Sequence, residues 1–143
     1  MKKLLSVLII FGLCYSALYE SGLTGRFFKE HVATDSVIAD AYNNHKSDLQ
    51  VSGSGEVIRI LSDDVDGSRH QRFILRLDSG QTLLIAHNID LAPKLPRLSI
   101  GDIVDFYGEY EWNDQGGVIH WTHHDPKGHH VSGWLKYQGK TYQ

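Results

Sequence analysis

The residues best suited to chemistry in this chain are gathered in the run Val118-Ile119-His120-Trp121-Thr122-His123-His124-Asp125-Pro126, followed closely by His129 and His130. Five imidazoles and a carboxylate thus stand at the end of one strand-like stretch and in the loop after it. Imidazole is the commonest transition-metal ligand and the side chain that titrates nearest neutral pH. Two chemistries follow. In the first, His120, His123, His124 and Asp125 are the candidate ligands of zinc or another transition metal, which takes three or four N or O donors in a rough tetrahedron. On a continuous strand His120 and His123 point to opposite faces, so joint ligation requires the strand to end near Thr122. The proline at 126 favours an early end. Neither an H-E-x-x-H helical spacing nor a cysteine pair is present.

In the second chemistry no metal takes part. His70, His87 and His120 supply a general base and a general acid, and Arg72 holds an anion through its guanidinium. Asp125 orients one imidazole. That is the arrangement of metal-free phosphodiester cleavage, and no serine or cysteine nucleophile motif competes with it. The same residues also suit plain binding, with Arg72, Arg76 and His87 gripping a small anionic ligand. Each of these residues also has a purely structural role open to it. Arg72 and Arg76 line a solvated strand face, and Trp112, Trp121 and Trp134 pack in the core. Glu109 and Glu111 point outward, although a four-residue turn places Glu109 across from His120, where it would raise the imidazole pKa.

These residues need a scaffold, and the pattern from Gln50 onward is that of strands. Val51–Leu61 is the first, and its small Ser52-Gly53-Ser54-Gly55 stretch lets a barrel strand bend. The polar loop Ser62–Ser68 faintly resembles a calcium loop. It fails the EF-hand pattern, because Ser62 fills the first ligand position and Phe73 the position of the bidentate glutamate. Two strands, His70–Asp78 and Gln81–Asn88, are joined by Ser79-Gly80, which reads as a tight two-residue hairpin turn. That turn pairs Arg72 with His87. It puts Phe73, Leu75, Leu77, Leu84 and Ala86 on a core face, and His70, Arg72, Arg76 and His87 together on the other. A connection containing Pro93 and Pro96 leads to Ile103–Trp112, a turn at Asn113–Gly117, and the returning strand Val118–Thr122. The tail Gly133–Tyr142 makes a last hairpin about Gln138-Gly139. The fold class is therefore all-β, a small five-stranded OB-like Greek-key barrel with a short N-terminal helix and a C-terminal hairpin. Another small barrel or a sandwich is the structural alternative.

The N-terminal part reads differently. Lys2-Lys3 followed by the apolar Leu4–Leu18 has the form of an export signal over residues 1–18, with an uncleaved anchor as the alternative. The expected location is the periplasm or outside the cell, or the inner membrane if the segment stays. Cys14 is the only cysteine, and Leu13 before it is too bulky for a lipobox, so no disulfide framework is expected in the domain. Residues 19–49 form a linker with one helix over Ser36–His45, capped by Asp35. Residues 50–143 form the barrel domain. The chain of 143 residues carries a formal net charge of −3, which disfavours nucleic acid as partner because phosphate gripping relies on Lys and Arg. No membrane contact is expected beyond the first segment.

Several blocks resemble a bacterial domain-of-unknown-function family, number 3465. They are Gly53-Ser54-Gly55-Glu56-Val57, Ser68-Arg69-His70-Gln71-Arg72-Phe73, Ala86-His87-Asn88-Ile89-Asp90-Leu91-Ala92-Pro93, Gly108-Glu109-Tyr110-Glu111-Trp112, His120–Pro126, and the closing Gly133-Trp134 and Gly139. One block departs: where the family commonly carries His-Pro-Asp-Gly-Trp, this chain has His130-Val131-Ser132-Gly133-Trp134. The resemblance implies a small exported bacterial protein and assigns no activity.

Overall fold

A computed structural model describes residues 34–143. The expected export signal at 1–18 and the first part of the linker lie outside the described residues. A helix, α1, covers residues 34–43 and is followed by β1 (Leu49–Ile60), β2 (His70–Arg76), β3 (Thr82–Asn88), β4 (Ile103–Glu111), β5 (Val118–His120), β6 (Trp134–Tyr137) and β7 (Lys140–Tyr142). No helix among the described residues is long and apolar enough to cross a membrane.

The long first strand closes the barrel. Its first half runs antiparallel to β4, from Leu49↔Tyr110 to Glu56↔Ile103. At Glu56 it passes to β2, pairing Glu56↔Arg76 and then, beyond a bulge between Val57 and Arg59, Ile60↔Phe73. The handover comes just after the Gly-Ser stretch, where little side-chain bulk opposes the bend. The β2–β3 hairpin continues the wall, β3 pairs parallel with β5 through Leu84↔Val118 and Ile85↔Ile119, and β5 pairs antiparallel with β4. The order β1-β2-β3-β5-β4, closed by β1–β4, is the expected five-stranded all-β barrel.

Period-two alternation sends Val51, Val57, Phe73, Leu75, Leu83, Ile85, Val104, Phe106, Tyr110 and Ile119 into the core. α1 contributes Ile38 and Ala41 to the same core, so the helix placed in the linker packs as part of the domain. It begins two residues earlier than its sequence suggests, and Asp35 sits in its first turn. There the carboxylate accepts the Ser79 N–H (3.1 Å), which fastens the helix to the β2–β3 turn. At the other end His45 adopts the left-handed region (φ 53°), and the N–H groups of His45 and Lys46 reach back to the carbonyls of Tyr42 and Ala41.

The hairpin register differs from the expected one by a residue, and this matters most for the site. Leu77 N–H donates to the Gln81 carbonyl (2.9 Å), so the loop is Asp78-Ser79-Gly80, with Gly80 left-handed at φ 88°. A three-residue loop ending in a left-handed glycine is the next commonest hairpin connection after the two-residue type. Arg72 consequently pairs with Ala86, and His87 with Gln71. A one-residue slip exchanges the two faces of a strand. Here it turns Leu83 and Ile85 inward instead of Leu84 and Ala86. Burying Ile85 fully is worth roughly 2 kcal/mol more than burying an alanine there, which favours the observed register.

β5 and β6 lie end to end on one edge of β4. β5 runs past Glu111 to Glu109, and β6 resumes at Tyr107 and continues to Val104. Residues 121–133 leave that line between His120 and Trp134 and return to it. Trp121 turns the chain out with φ 55°, a conformation that costs a bulky L-residue about 1–2 kcal/mol.

Candidate functional site

A groove of about 260 Å³ opens on the outer wall of the barrel, and His70, Ala86, Glu111, His120, Trp121 and His123 line it. His70 opens β2 and His120 closes β5, while Ala86 on β3, a short side chain, also lines the groove. His123 enters from the loop just after Trp121. The structure thus brings together three of the histidines singled out in the sequence.

Each imidazole has its own proton arrangement. His70 Nδ1 lies 2.8 Å from the Ser68 carbonyl, and His123 Nδ1 lies 2.7 Å from the His124 carbonyl. A carbonyl only accepts, so Nδ1 is the donor in both rings, and the neutral form of each presents its lone pair at Nε2. Neither Nε2 has a hydrogen-bond partner among the described residues. The Ser68 carbonyl is itself held in place, because the Asp90 carboxylate accepts both the backbone N–H (2.8 Å) and the Nε (2.7 Å) of Arg69. His120 Nε2 stands 3.5 Å from a Glu111 oxygen. Burial pushes its pKa down, Glu111 pulls upward, and the His70 ring pushes down again, with a lowered value as the outcome. Glu109 does pair across from His120, as the four-residue turn requires, but it contributes least of these influences. The expected rise is corrected to a fall because desolvation outweighs both carboxylates.

His87 is not in the outer patch. The register places it on the inner side of the wall, fully buried, with Nε2 donating to the Pro93 carbonyl (3.1 Å) and Nδ1 accepting from Thr122 Oγ1 (2.8 Å). Burial lowers its pKa to about 4, with the neighbouring His123 and His70 rings acting in the same direction against the Pro93 carbonyl. His87 therefore supports the site from behind: it fixes Thr122, which lies between Trp121 and His123. Arg72 and Arg76 remain on the outer face but turn away from the groove. Arg72 Nε donates to the Ser62 carbonyl (3.1 Å), and Arg76 pairs with Glu56 (2.8 Å). The grouping of Arg72, Arg76 and His87 as one anion grip is not what the wall presents.

The dense cluster of the loop divides as well. Asp125 accepts the backbone N–H groups of Lys127 (2.9 Å), His129 (2.7 Å) and His130 (2.9 Å). These bonds, the Lys127 one foremost, hold its carboxyl below the usual range and commit both oxygens to the loop's own fold. His124 and His129 are exposed. His130 joins Glu109 instead, Nε2 to Oε2 at 2.5 Å, and its Nδ1 faces the Val131 carbonyl at 2.8 Å. Its ring stacks on Trp121 at 4.1 Å and 8°, and the same indole tilts against His123 at 5.4 Å. The His120, His123, His124 and Asp125 set is thus not assembled around one point. Among the described residues, the three donor side chains whose ligand atoms lie within 4.8 Å of one another are Asp48, Glu109 and Glu111.

The His130–Glu109 pair, the Ser68 and His124 carbonyls, and Glu111 beside His120 are site features that the sequence pattern does not single out. Glu111 had a usable signal, since the register that puts Glu109 opposite His120 also puts Glu111 opposite Val118, on the same face. A family model described as "Protein of unknown function (DUF3465)" matches residues 23–143 of the chain. No curated protein matches it.

Proposed function

Because the chain belongs to the DUF3465 family, whose description assigns no activity, the groove itself is the guide, and we propose that the domain binds a divalent transition metal through His70, His120 and His123. The observation that supports this best is the proton arrangement: two groove histidines have Nδ1 tied to a backbone carbonyl and Nε2 unpartnered. Metal-ligating histidines characteristically donate their other ring N–H in this way, which fixes the ring and raises its basicity. The third, His120, is held toward its neutral, ligating form by burial. Glu111 beside it is the nearest carboxylate to complete the set. Residues 34–143 contain no cysteine or methionine, so the donor set suits zinc or copper(II) and not copper(I). Export through the segment at 1–18 belongs to the same proposal and would be tested by the N-terminal residue of protein recovered from a periplasmic fraction.

The test is retained metal. After exposure to one equivalent of zinc and dialysis, mass spectrometry should find close to one ion per chain. His70→Ala, His120→Ala and His123→Ala should each weaken binding at least tenfold, on the order of what even outer-shell substitutions cost. His124→Ala, which removes an exposed side chain outside the groove lining and keeps the backbone carbonyl that holds His123, should leave it unchanged. No retained zinc or copper in the wild type would end this reading.

The 3.5 Å contact between Glu111 and His120 supports one second reading, hydrolysis with His120 as base and His70 as acid across the groove. Among the described residues, no lysine or arginine lines the groove to hold a phosphate. Turnover of a simple phosphodiester that survives a chelator and disappears in His120→Ala would favour it.

A further inference from the structure

The loop 121–133 is closed at two points. Asp125 gathers three backbone N–H groups into a compact turn, and His130 binds that turn to β4. The second closure has a chemical requirement. His130 faces an acceptor at each ring nitrogen: the Glu109 carboxylate at Nε2 and the Val131 carbonyl at Nδ1. A neutral imidazole has one N–H and can satisfy one of them, whereas an imidazolium satisfies both. The Glu109 and His130 side chains are 17% and 20% exposed, so the unsatisfied acceptor would be poorly compensated by water. Trp121 joins this closure to the groove, with its indole stacked on His130, tilted against His123 and lining the groove wall.

We propose that His130 is a proton-operated latch: charged, it clamps the 121–133 loop to β4 and holds the Trp121 indole as a wall of the groove; neutral, it releases one acceptor and frees that wall. The charged groups that face it are Glu109 from β4 and Asp125 from its own loop, both negative. Desolvation works against the charge, but the Glu109 hydrogen bond, the Val131 carbonyl and the two carboxylates prevail and raise the pKa. The raised value gives the sign. The stabilisation is complete below the unfolded value, near 6.5 for histidine, and is lost as pH rises through the folded one. The latch does not depend on what the groove binds, so it stands or falls apart from metal ligation.

The full chain tests it without any ligand. Ring titration of His130 by NMR is compared with the amide-exchange protection factors of Lys127, His129 and His130, which already remove the intrinsic pH dependence of exchange. Protection should fall at least tenfold as the ring loses its proton, with a midpoint above 6.5. Glu109→Gln should lower that midpoint by about one unit or more, since an opposite charge in contact moves a pKa by about 1–3. His130→Gln, which cannot ionise, should make loop protection independent of pH. Constant protection while the ring titrates would overturn the proposal, as would an unmoved midpoint in Glu109→Gln. If Glu109→Gln does not fold, His130→Gln decides alone, because a pH-dependent loop that survives it excludes the latch.

Discussion

Acidification from pH 6.5 to 4 should remove roughly 3 kcal/mol of folding stability through His87 alone, taking 1.36 kcal/mol per pKa unit. The sign follows from the direction of the shift. An unfolded His87 accepts a proton near 6.5, whereas the folded ring, fully buried, accepts one only at about 4. Between those values the unfolded chain binds more protons, so stability present above 6.5 declines as pH falls and levels off below 4. Urea unfolding at a series of pH values measures this directly. His87→Gln, which can still bond to Thr122 or Pro93, should flatten that acid limb even if its neutral-pH stability is lower. An unchanged limb in His87→Gln would remove His87 as its cause. His87→Ala should cost about 3 kcal/mol or more at neutral pH, because it combines a cavity with two stranded partners, the Thr122 hydroxyl and the Pro93 carbonyl.

Gly133→Ala should be comparably severe. Gly133 lies where the loop returns to β4, and an added Cβ would press into the carbonyl oxygens of Trp121 and Tyr107. Both obstacles are backbone, so relief requires the foot of the loop to lift away from β4. Because the Trp121 carbonyl belongs to the loop's other foot, the two feet must also part, which strains the bond from Gly133 N–H to the His123 carbonyl (3.0 Å). A loss of roughly 3 kcal/mol is expected, at the upper end for overpacking. Ser132→Ala, one residue away and exposed, should change stability by less than about 0.5 kcal/mol. Thermal unfolding of the two variants side by side is sufficient, and near-equal midpoints would contradict the packing argument. His120 and Trp121 signals should move in Gly133→Ala and stay in place in Ser132→Ala.

The barrel was legible because its signals are local. Alternating apolar residues mark each wall strand, and the broken connection through Pro93 and Pro96 separates β3 from β4. The β4–β5 register was legible for the same reason: a four-residue turn fixes Glu109 opposite His120. The β2–β3 register was not. Ser79-Gly80 satisfies a two-residue and a three-residue loop equally well, and the choice is made by which of two inward sets packs better, a property of the closed barrel. That single residue moved His87 from the outer patch to the interior. The loop histidines were opaque for another reason. Their roles depend on backbone acceptors, the carbonyls of Ser68, His124 and Val131, and every residue carries one, so no residue type announces them.

The end-to-end placement of β5 and β6 has a consequence for how such a domain can vary. Since β4 sees one interrupted neighbour, residues 121–133 are an excursion that the wall's own pairing does not require. The excursion can gain or lose length about its exposed 127–129 tip while the two strand pieces keep their partners, provided its feet still meet between the Glu109↔His120 and Tyr107↔Trp134 pairs. An insertion at that tip should therefore leave the barrel's pairing intact, so that new chemistry can be added there on an unchanged frame.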